Sequence, residues 1–445
     1  MGNGAQVTGA GMHDPLTDAI SPPHDETVEQ KADRHLDEAN AKRISDEIDR
    51  LIEADAVELK RRRRKGIKVL LLGQSESGKS TTLKNFQLQC APKKWAEERA
   101  SWRAVIQLNL ARSVNIILDA LPPDSTHKTS LAPLLKVQKD LERRIGANSR
   151  EDHLHGHDDD SDDEKRPAQE PFVRSYEGWK AAMSKFFPRA SSDTEEDGVT
   201  KTLVDCREHM QALCEDVQVR RMIRDKAFRL EDSAEFFLSN IERVASPNYV
   251  PSDDDVIRSR LRTVGVQEHR IVFETSRYFD KELLVYDVGG ARSCRAVWPA
   301  YFDDVNAIIF LAPVNCFDER LAEDRRVNRL EDSFNLWQTV CKNKLLAKTM
   351  LILFLNKCDL LDKKLKSGVK IKDSMPSYGG RPNDARKFTR YLRRKFVELS
   401  MQDSPEPRKI FLHLTTLTDT ESTAITLSEV QDGILKNQLL HANML

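Results

Sequence analysis

Short apolar runs separated by helical patterns dominate the second half of the chain. Five runs have the length and composition of strands: 270–273, 283–286, 307–311, 350–355 and 410–414. Helical periodicity fills the gaps between the last four, which predicts a mainly parallel sheet with helices on both faces. Another apolar run, 68–72, stands directly before a glycine-containing turn. The pattern therefore predicts an α/β fold.

The N-terminal part of the chain has a different pattern. Residues 1–30 are rich in Gly, Pro, Asp and Thr and predict a disordered leader. Residues 32–64 predict one charged helix, in which four apolar residues follow helical spacing: Ile44, Ile48, Leu51 and Leu59. Such a narrow stripe fits a solvated helix or a helix that docks onto a partner, and its terminal position favours docking.

Residues 92–254 show helical patterns without strand alternation. A polar insertion at about 121–199 includes the acidic tract 158–164, and its composition predicts mostly disorder, because it buries too little apolar area to offset ordering entropy. His153, His155 and His157 alternate beside this tract and could chelate a metal ion, although solvated polar sequence is the commoner outcome of such composition.

The composition indicates the cellular environment of the protein, but it says little about the function. The 70 basic and 71 acidic residues nearly cancel, so net charge favours no class of partner, and we expect no nucleic acid. Seven cysteines without CxxC spacing suit a reducing compartment. The longest apolar runs, 305–314 and 350–355, are too short to span a bilayer, and no secretory signal is visible. Any membrane contact is therefore expected to be peripheral.

The segment 73–80, Gly-Gln-Ser-Glu-Ser-Gly-Lys-Ser, fits the pattern of a phosphate-binding loop. A tight loop at a helix N-terminus directs backbone N–H groups at an anion. Lys79 is expected to reach the terminal phosphates, and the Ser80 hydroxyl to help hold Mg²⁺. The loop alone predicts a nucleoside triphosphate without identifying the base.

Three further segments narrow the ligand to a guanine nucleotide. Asn-Lys-Cys-Asp at 356–359 follows a strand, and a carboxylate there can accept from guanine N1–H and its exocyclic amine. The segment 415–419 ends the last strand, where backbone N–H groups could meet the guanine oxygen. Asp-Val-Gly-Gly at 287–290 offers a carboxylate for Mg²⁺ through water and glycine N–H groups for the γ-phosphate.

With the segment 255–265, Asp-Val-Ile-Arg-Ser-Arg-Leu-Arg-Thr-Val-Gly, the chain resembles the α subunits of heterotrimeric G proteins. The resemblance covers about 36–120 and 200–445. It implies a Ras-like P-loop GTPase domain at 66–91 and 255–445 and an inserted all-helical domain at 92–254. Residues 1–65 form the leader and N-terminal helix in this division.

The resemblance also implies a role for individual residues. Arg260 would be a built-in arginine finger, paired with Glu76. Ser80 and Thr263 would bind Mg²⁺ directly, and Asp287 through water. The contacts with GDP or GTP would be made by the following residues: Glu76, Ser77, Gly78, Lys79, Ser80, Thr81, Ser233, Ile257, Arg258, Thr263, Asp287, Gly289, Gly290, Asn356, Lys357, Asp359 and Leu417.

The chain departs from the family pattern at Ala291, where a water-orienting Gln is usual. A methyl group cannot hydrogen-bond that water, so we expect GTP to bind and its hydrolysis to be slow. The resemblance predicts a receptor-coupled signal transducer. The alternative is a regulatory module locked with GTP, and the segment 356–359 opposes a P-loop kinase or ATPase.

The resemblance implies a βγ dimer, a receptor, effectors and GTPase-accelerating proteins as partners. The surfaces that meet them differ at Cys294, Ala296 and Val297, and Arg325 with Arg326 replace usual acidic residues. These differences fit altered partners or neutral drift. Pro299 is expected to end the second switch helix early.

Membrane attachment is the last expectation, at the cytoplasmic face of the plasma membrane. Gly2 is a candidate for N-myristoylation, although Gln6 replaces the preferred Ser or Thr. No cysteine precedes Cys90, so the basic block 61–65 would have to supply a second membrane signal, or else it only ends a charged helix.

Overall fold

The computed structural model describes residues 26–145, 172–173, 198–225, 227–228, 230–263, 265–274 and 281–441. Within these ranges it gives no side-chain placement for 58–65, 172–173, 262–263 and 437–441. The chain divides after Lys65 into two compact units. Gly2, His153, His155 and His157 lie outside the described residues, and so does the acidic tract.

The first unit contains one long helix, α1, at Val28–Lys65. Charged residues cover most of it, and Arg34 forms ion pairs with Glu26 and Glu38, each at 2.7 Å. Ile44, Ile48 and Leu51 are exposed along its length. The predicted charged helix is thus confirmed, and it starts four residues earlier than expected.

A six-stranded sheet organises the second unit, in the order β4-β5-β1-β6-β7-β8. All neighbouring strands are parallel except β4 and β5, which are antiparallel. The strands are β1 Gly66–Gly73, β4 Val266–Val272, β5 Glu282–Val288, β6 Ala307–Pro313, β7 Met350–Asn356 and β8 Ile410–Thr415. Strand β6 is buried throughout because helices cover both faces of the sheet.

Two apolar cores lie on the two faces of this sheet. On one face, α2 (Lys79–Cys90) and α17 (Thr420–His441) pack Phe86, Leu427 and Val430 against the strands. On the other face pack α13 (Arg329–Lys342), α14 (Cys358–Lys366), α15 (Ile371–Ser374) and α16 (Ala385–Asp403). The predicted α/β fold, a mainly parallel sheet between two helical layers, is confirmed.

A third core belongs to the segment between α2 and β3 (Arg262–Thr263). Its central helix, α4, spans Arg103–Ala120 and is buried along most of its length. Around it lie α3 Pro92–Arg99, α5 Thr126–Leu131, α6 Pro133–Ile145, α7 Gly198–Asp205, α8 Arg207–Glu215, α9 Val217–Arg224, α10 Ala234–Ser239, α11 Ile241–Val244 and α12 Asp253–Arg258. The described part of this segment is almost wholly helical.

The prediction of disorder is wrong for residues 126–145. Helices α5 and α6 occupy this stretch and bury five apolar side chains in the core: Leu131, Leu134, Val137, Leu141 and Ile145. These residues recur at spacings of three and four, so they form one apolar face. The prediction of disorder rested on the average composition of 121–199. This average includes the acidic tract, so it does not reveal the apolar face of 126–145. The short strand β2 (Phe172–Val173), paired parallel with β3, also lies in the predicted insertion.

Pro299 does not end the helix after β5, contrary to expectation. Residues Arg292–Tyr301 form a 3₁₀ helix that contains Pro299 and continues for two residues beyond it. The Pro299 carbonyl accepts a hydrogen bond from the Phe302 N–H at 3.1 Å. Proline removes only its own N–H donor here, so the helix persists.

Candidate functional site

A cavity of about 270 Å³ opens at the carboxyl ends of the parallel strands, between the sheet and the helical segment. Ligands of parallel sheets bind at this edge. The predicted nucleotide-site residues whose side chains the structure describes all line this cavity, whereas Thr263 lies in β3, where side chains are not described. The structure brings together Glu76, Ser77, Gly78, Lys79, Ser80, Thr81, Ser233, Ile257, Arg258, Arg260, Asp287, Gly289, Gly290, Asn356, Lys357, Asp359 and Leu417.

The loop between β1 and α2 forms the floor of this cavity. Gly73 and Gly78 adopt positive φ angles of 140° and 105°. A Cβ atom on Gly73 would lie 2.4 Å from the Leu311 carbonyl oxygen, and one on Gly78 would lie 2.4 Å from Asn356 Nδ2. Both positions therefore require glycine, and the tight turn leaves the N-terminus of α2 open to the cavity.

Lys79 is buried at the start of α2. Its Nζ donates to the carbonyl oxygens of Gly73, at 3.0 Å, and Gln74, at 2.6 Å. Burial lowers the pKa of Lys79 to about 8, while the Asp287 carboxylate opposes this shift. Carbonyl groups of the phosphate loop therefore bind the Lys79 ammonium group. An anionic ligand at this position would neutralise the charge of that group.

Ser80 and Asp287 are in direct contact where they line the cavity. The Ser80 hydroxyl donates to Asp287 Oδ2 at 2.7 Å, and Asp287 is 1% exposed. Hydroxyl and carboxylate oxygens are hard donors, which Mg²⁺ prefers. Among the described residues no group of three His, Cys, Asp or Glu side chains is arranged so that it could hold a metal ion. A metal at this pair would therefore draw its other ligands from hydroxyls, water or a bound phosphate.

Asn356 joins three loops at the far end of the cavity. Its Nδ2 donates to the Ser77 carbonyl at 2.9 Å. Its Oδ1 accepts from Thr415 Oγ1 at 3.1 Å and from the Leu417 N–H at 3.4 Å. These bonds fix the end of β7, just before Asp359 in the first turn of α14, against the phosphate loop and the turn after β8.

Ion pairs connect this end of the cavity to the helical segment. Lys357, in the left-handed region with φ 66°, pairs with Asp232, and Lys363 pairs with Glu235. Burial alone would raise the pKa of Asp232, but the Lys357 ammonium holds it below its usual value. Arg258 stacks 4.8 Å from the ring of Phe236. The cavity is thus closed by contacts between the two parts of this unit.

Arg260 reaches the phosphate loop from the end of α12. Its Nη2 lies 3.2 Å from Glu76 Oε1 and its Nε lies 3.9 Å from Glu231. The other oxygen of Glu76 pairs with Arg329 at 3.2 Å. The pairing of Arg260 with Glu76, which the resemblance implied, is present in the structure.

The Gly289–Gly290 turn presses against the phosphate loop. A Cβ atom on Gly290 would lie 2.3 Å from the Gln74 carbonyl carbon and 2.4 Å from the Ser75 nitrogen. Ala291 follows at once, lines the cavity and is 8% exposed. The side chain at the end of this turn is therefore a methyl group, next to the loop that carries Lys79.

Sequence reasoning missed the polar network behind the phosphate loop. Gln74 Nε2 donates to Asp332 Oδ2 at 2.6 Å, and Arg295 Nη2 pairs with the same oxygen at 2.7 Å. Gln74 and Asp332 are 258 positions apart. No local pattern announces such a contact, because each residue alone looks like an ordinary polar residue of a loop or helix.

Comparison with known proteins gives a consistent result. A family model described as "G-protein alpha subunit" matches residues 42–434. The chain is 31% identical to the guanine nucleotide-binding protein alpha-2 subunit of Neurospora crassa, over 91% of this chain and 96% of that protein. It is 32% identical to the G(o) subunit alpha of Geodia cydonium, over 92% and 98%. The alpha-16 subunit of Caenorhabditis elegans is 31% identical, over 91% and 96%.

Proposed function

Because this chain belongs to the family of G-protein α subunits, we propose that its cavity binds GDP and GTP with Mg²⁺ and that Ala291 makes GTP hydrolysis slow. The chain is a guanine-nucleotide-binding signal transducer and a GTPase, with a Ras-like domain and a helical domain.

The phosphate end of the ligand would be held by Glu76 to Thr81. Lys79 is already buried and charged among carbonyl groups, so a phosphate oxygen gives it a better partner than those it has. Ser80, Thr263 and Asp287 would hold Mg²⁺, the last through water. When bound, the ion neutralises charge on the β- and γ-phosphate oxygens.

The base would be read at the opposite end of the cavity. The Asp359 carboxylate can accept two N–H groups from guanine, which adenine does not offer in that arrangement. Lys357 and Leu417 flank the same space, while Asn356 keeps the loops in register. Ser233, Ile257 and Arg258 would contact the nucleotide from the helical side. We therefore expect selectivity for guanine over adenine.

Arg260 is the proposed catalytic residue. A planar guanidinium can donate two hydrogen bonds to the γ-phosphate oxygens, where charge spreads in the transition state. Such an arginine finger is worth about 10³–10⁵ in rate. Glu76, 3.2 Å away, would hold Arg260 at the edge of the phosphate loop and so orient it toward the phosphate site.

The single observation that carries slow hydrolysis is Ala291 lining the cavity beside Gly290. The Ala291 methyl group cannot accept or donate a hydrogen bond, so it does not orient the attacking water. GTP binding does not need that contact, and the GTP-bound state would persist. The extreme form of this idea is a module that holds GTP without useful turnover.

Single-turnover hydrolysis by the wild type, Ala291→Gln and Arg260→Ala tests these roles. We expect Ala291→Gln to be faster than the wild type, and Arg260→Ala to be slower. Equal rates for the wild type and Ala291→Gln would refute the role of Ala291. No phosphate release even with a GTPase-accelerating protein would favour the locked module, and ATP displacing GDP as well as GTP does would refute guanine selectivity.

Membership of this family also indicates which partners we expect the protein to have. Such α subunits are expected to associate with a βγ dimer and with receptors. The exposed residues Ile44, Ile48 and Leu51 of α1 offer an apolar stripe for the βγ dimer. No helix in the described ranges is long and apolar enough to cross a membrane. We propose peripheral attachment at the cytoplasmic face of the plasma membrane through Gly2, tested by myristate labelling of the wild type and Gly2→Ala.

A further inference from the structure

The main chain around Arg260 is held from two directions. The Arg260 N–H donates to Asn109 Oδ1 at 2.6 Å, and Asn109 Nδ2 donates to the Arg260 carbonyl at 2.9 Å. The two bonds reproduce the reciprocal N–H and C=O exchange of an antiparallel strand pair. Asn109 lies in the buried helix α4 and is 6% exposed. Both the oxygen and the nitrogen of its amide group therefore bind the main chain of Arg260.

Lys84 holds the residue that precedes Arg260. Its Nζ donates to the Val256 carbonyl at 2.8 Å, the Ser259 carbonyl at 2.7 Å and the Ser259 hydroxyl at 3.1 Å. An ammonium group has three N–H donors, and all three have partners here. The group also lies 4.3 Å from the centre of the Trp102 ring.

Lys84 is buried, so its charge does not serve to keep the protein surface in contact with water. The residue is 5% exposed, and its side chain forms no ion pair with any residue that the structure describes. A buried charge without a carboxylate is costly, and it is tolerated where backbone oxygens replace water. Here those oxygens all belong to the turn that leads into Arg260.

We infer that Lys84 and Asn109 are positioning residues that fix the main chain of Arg260 relative to the phosphate loop. The inference rests on the proposed catalytic role of Arg260. Lys84 belongs to α2, the helix that begins with Lys79 and Ser80, so it ties the arginine to the element that carries the phosphate site. Asn109 ties the same residue to the helical segment.

Lys84 and Asn109 together act as a clamp on the main chain of Arg260. The clamp reduces the number of conformations that the Arg260 side chain must sample before it reaches the γ-phosphate. With the Arg260 main chain fixed on both sides, only its side-chain torsions remain to be set when the γ-phosphate arrives. A misplacement of about 1 Å costs roughly a hundredfold in rate. Loss of either clamp is therefore expected to slow hydrolysis without removing any group that touches the nucleotide base.

The test uses Lys84→Met and Asn109→Leu, each made in the wild type and in Arg260→Ala. Single-turnover hydrolysis should slow by about 10- to 100-fold in the presence of Arg260 and by less than about twofold in its absence, because coupled residues are not additive. Asn115→Leu is the matched control: Asn115 is buried in the same helix and donates to Gln138 at 2.7 Å, away from Arg260.

Other outcomes separate the possible failures. If the two variants slow hydrolysis equally with and without Arg260, their role is structural and the inference is wrong. If Arg260→Ala slows hydrolysis while both variants leave it unchanged, the inference alone fails. If Arg260→Ala itself has no effect, the proposed function of Arg260 fails first. Melting temperatures and affinity for a fluorescent GDP identify variants that lose the fold, and the two clamp variants test the same effect independently.

Discussion

Arg260 and Glu76 form an ion pair inside the cavity, Nη2 to Oε1 at 3.2 Å, although 184 positions separate them in the chain. Glu76 adopts a left-handed φ of 61°, which turns its side chain between two arginines. Its other carboxylate oxygen holds Arg329, which is buried and also pairs with Glu319 at 2.8 Å. The phosphate loop therefore sets the resting position of Arg260.

Glu76→Gln is expected to slow single-turnover GTP hydrolysis by about tenfold. The substitution keeps the shape of the side chain and removes the charge that holds Arg260, and a hydrogen bond to a charged group is worth about 1.5–3 kcal/mol. A tenfold loss of rate corresponds to about 1.4 kcal/mol. Single-turnover phosphate release measures the effect directly.

Glu319→Gln is the control for this prediction. Glu319 pairs with Arg329 and Lys364 but not with Arg260. Glu319→Gln therefore perturbs the same network of ion pairs without changing a contact of Arg260, the proposed catalytic residue. Equal slowing by the two variants would mean that Glu76 acts through the stability of the loop, and the prediction would be wrong.

Gly290→Ala is expected to weaken nucleotide binding by about tenfold or more. The new Cβ atom would lie within 2.5 Å of three backbone atoms of Gln74 and Ser75, a distance that real Cβ atoms do not adopt. Either the phosphate loop or the 289–290 turn must move, and precise positioning near phosphates is costly to disturb. A titration with fluorescent GDP measures the affinity.

Gly380→Ala serves as the matched substitution, because a Cβ atom there meets nothing within 4 Å. It should leave GDP affinity unchanged. Unchanged affinity in Gly290→Ala as well would show that the contact between the turn and the loop is not needed for binding.

Local patterns were sufficient for most of the fold. Strands β1, β6 and β7 were predictable because each is a short apolar run, and strands buried on both faces read as such runs. Strand β4 begins at Val266, before the predicted run 270–273, because its exposed and buried residues alternate. The phosphate loop and the segment 356–359 were predictable because their residues are consecutive. Asp287 was placed in the site because it ends a strand at the edge where ligands bind.

Two kinds of feature escaped sequence reasoning. The amphipathic face of α6 was hidden by averaging over a window that also contained the acidic tract. The contacts of Gln74 with Asp332 and of Lys84 with Ser259 join residues 258 and 175 positions apart. Such pairs depend on how the sheet and helices pack, and no spacing along the chain encodes them.

Asp232→Asn is expected to accelerate release of GDP. The ion pair of Asp232 with Lys357 links the helical segment to the base end of the cavity, and the Lys357 side chain is 16% exposed. Removing one partner leaves a largely desolvated ammonium group unpaired, which favours opening of the contact. Stopped-flow dissociation of a fluorescent GDP measures the rate.

Glu235→Gln provides the comparison for Asp232→Asn. Glu235 pairs with Lys363 across the same boundary, but both side chains are more than half exposed, at 76% and 66%. Exposed pairs contribute about 0–1 kcal/mol, so this variant should release GDP nearly as the wild type does. Equal acceleration in both variants would point to total charge at the boundary instead of to the pair of Asp232 with Lys357, in which Lys357 is 16% and Asp232 47% exposed.

Lys84→Met is expected to change how the stability of the protein depends on pH. Burial lowers the pKa of Lys84 from 10.5 to about 7 in the folded protein, with Asp287 opposing the shift. Between these two values the unfolded chain binds more protons than the folded one, so stability rises with pH across this window and falls as the pH drops toward 7. The slope from one such group reaches about 1.4 kcal/mol per pH unit.

Thermal melts of the wild type and Lys84→Met at several pH values between 7 and 10.5 test this sign. The melting temperature of the wild type should rise relative to that of Lys84→Met as the pH increases, because methionine carries no proton in either state. A constant difference between the wild type and Lys84→Met across this range would mean that Lys84 keeps its ordinary affinity for a proton. The carbonyl groups of Val256 and Ser259 would then have to stabilise the charge of Lys84 to the same degree as water does.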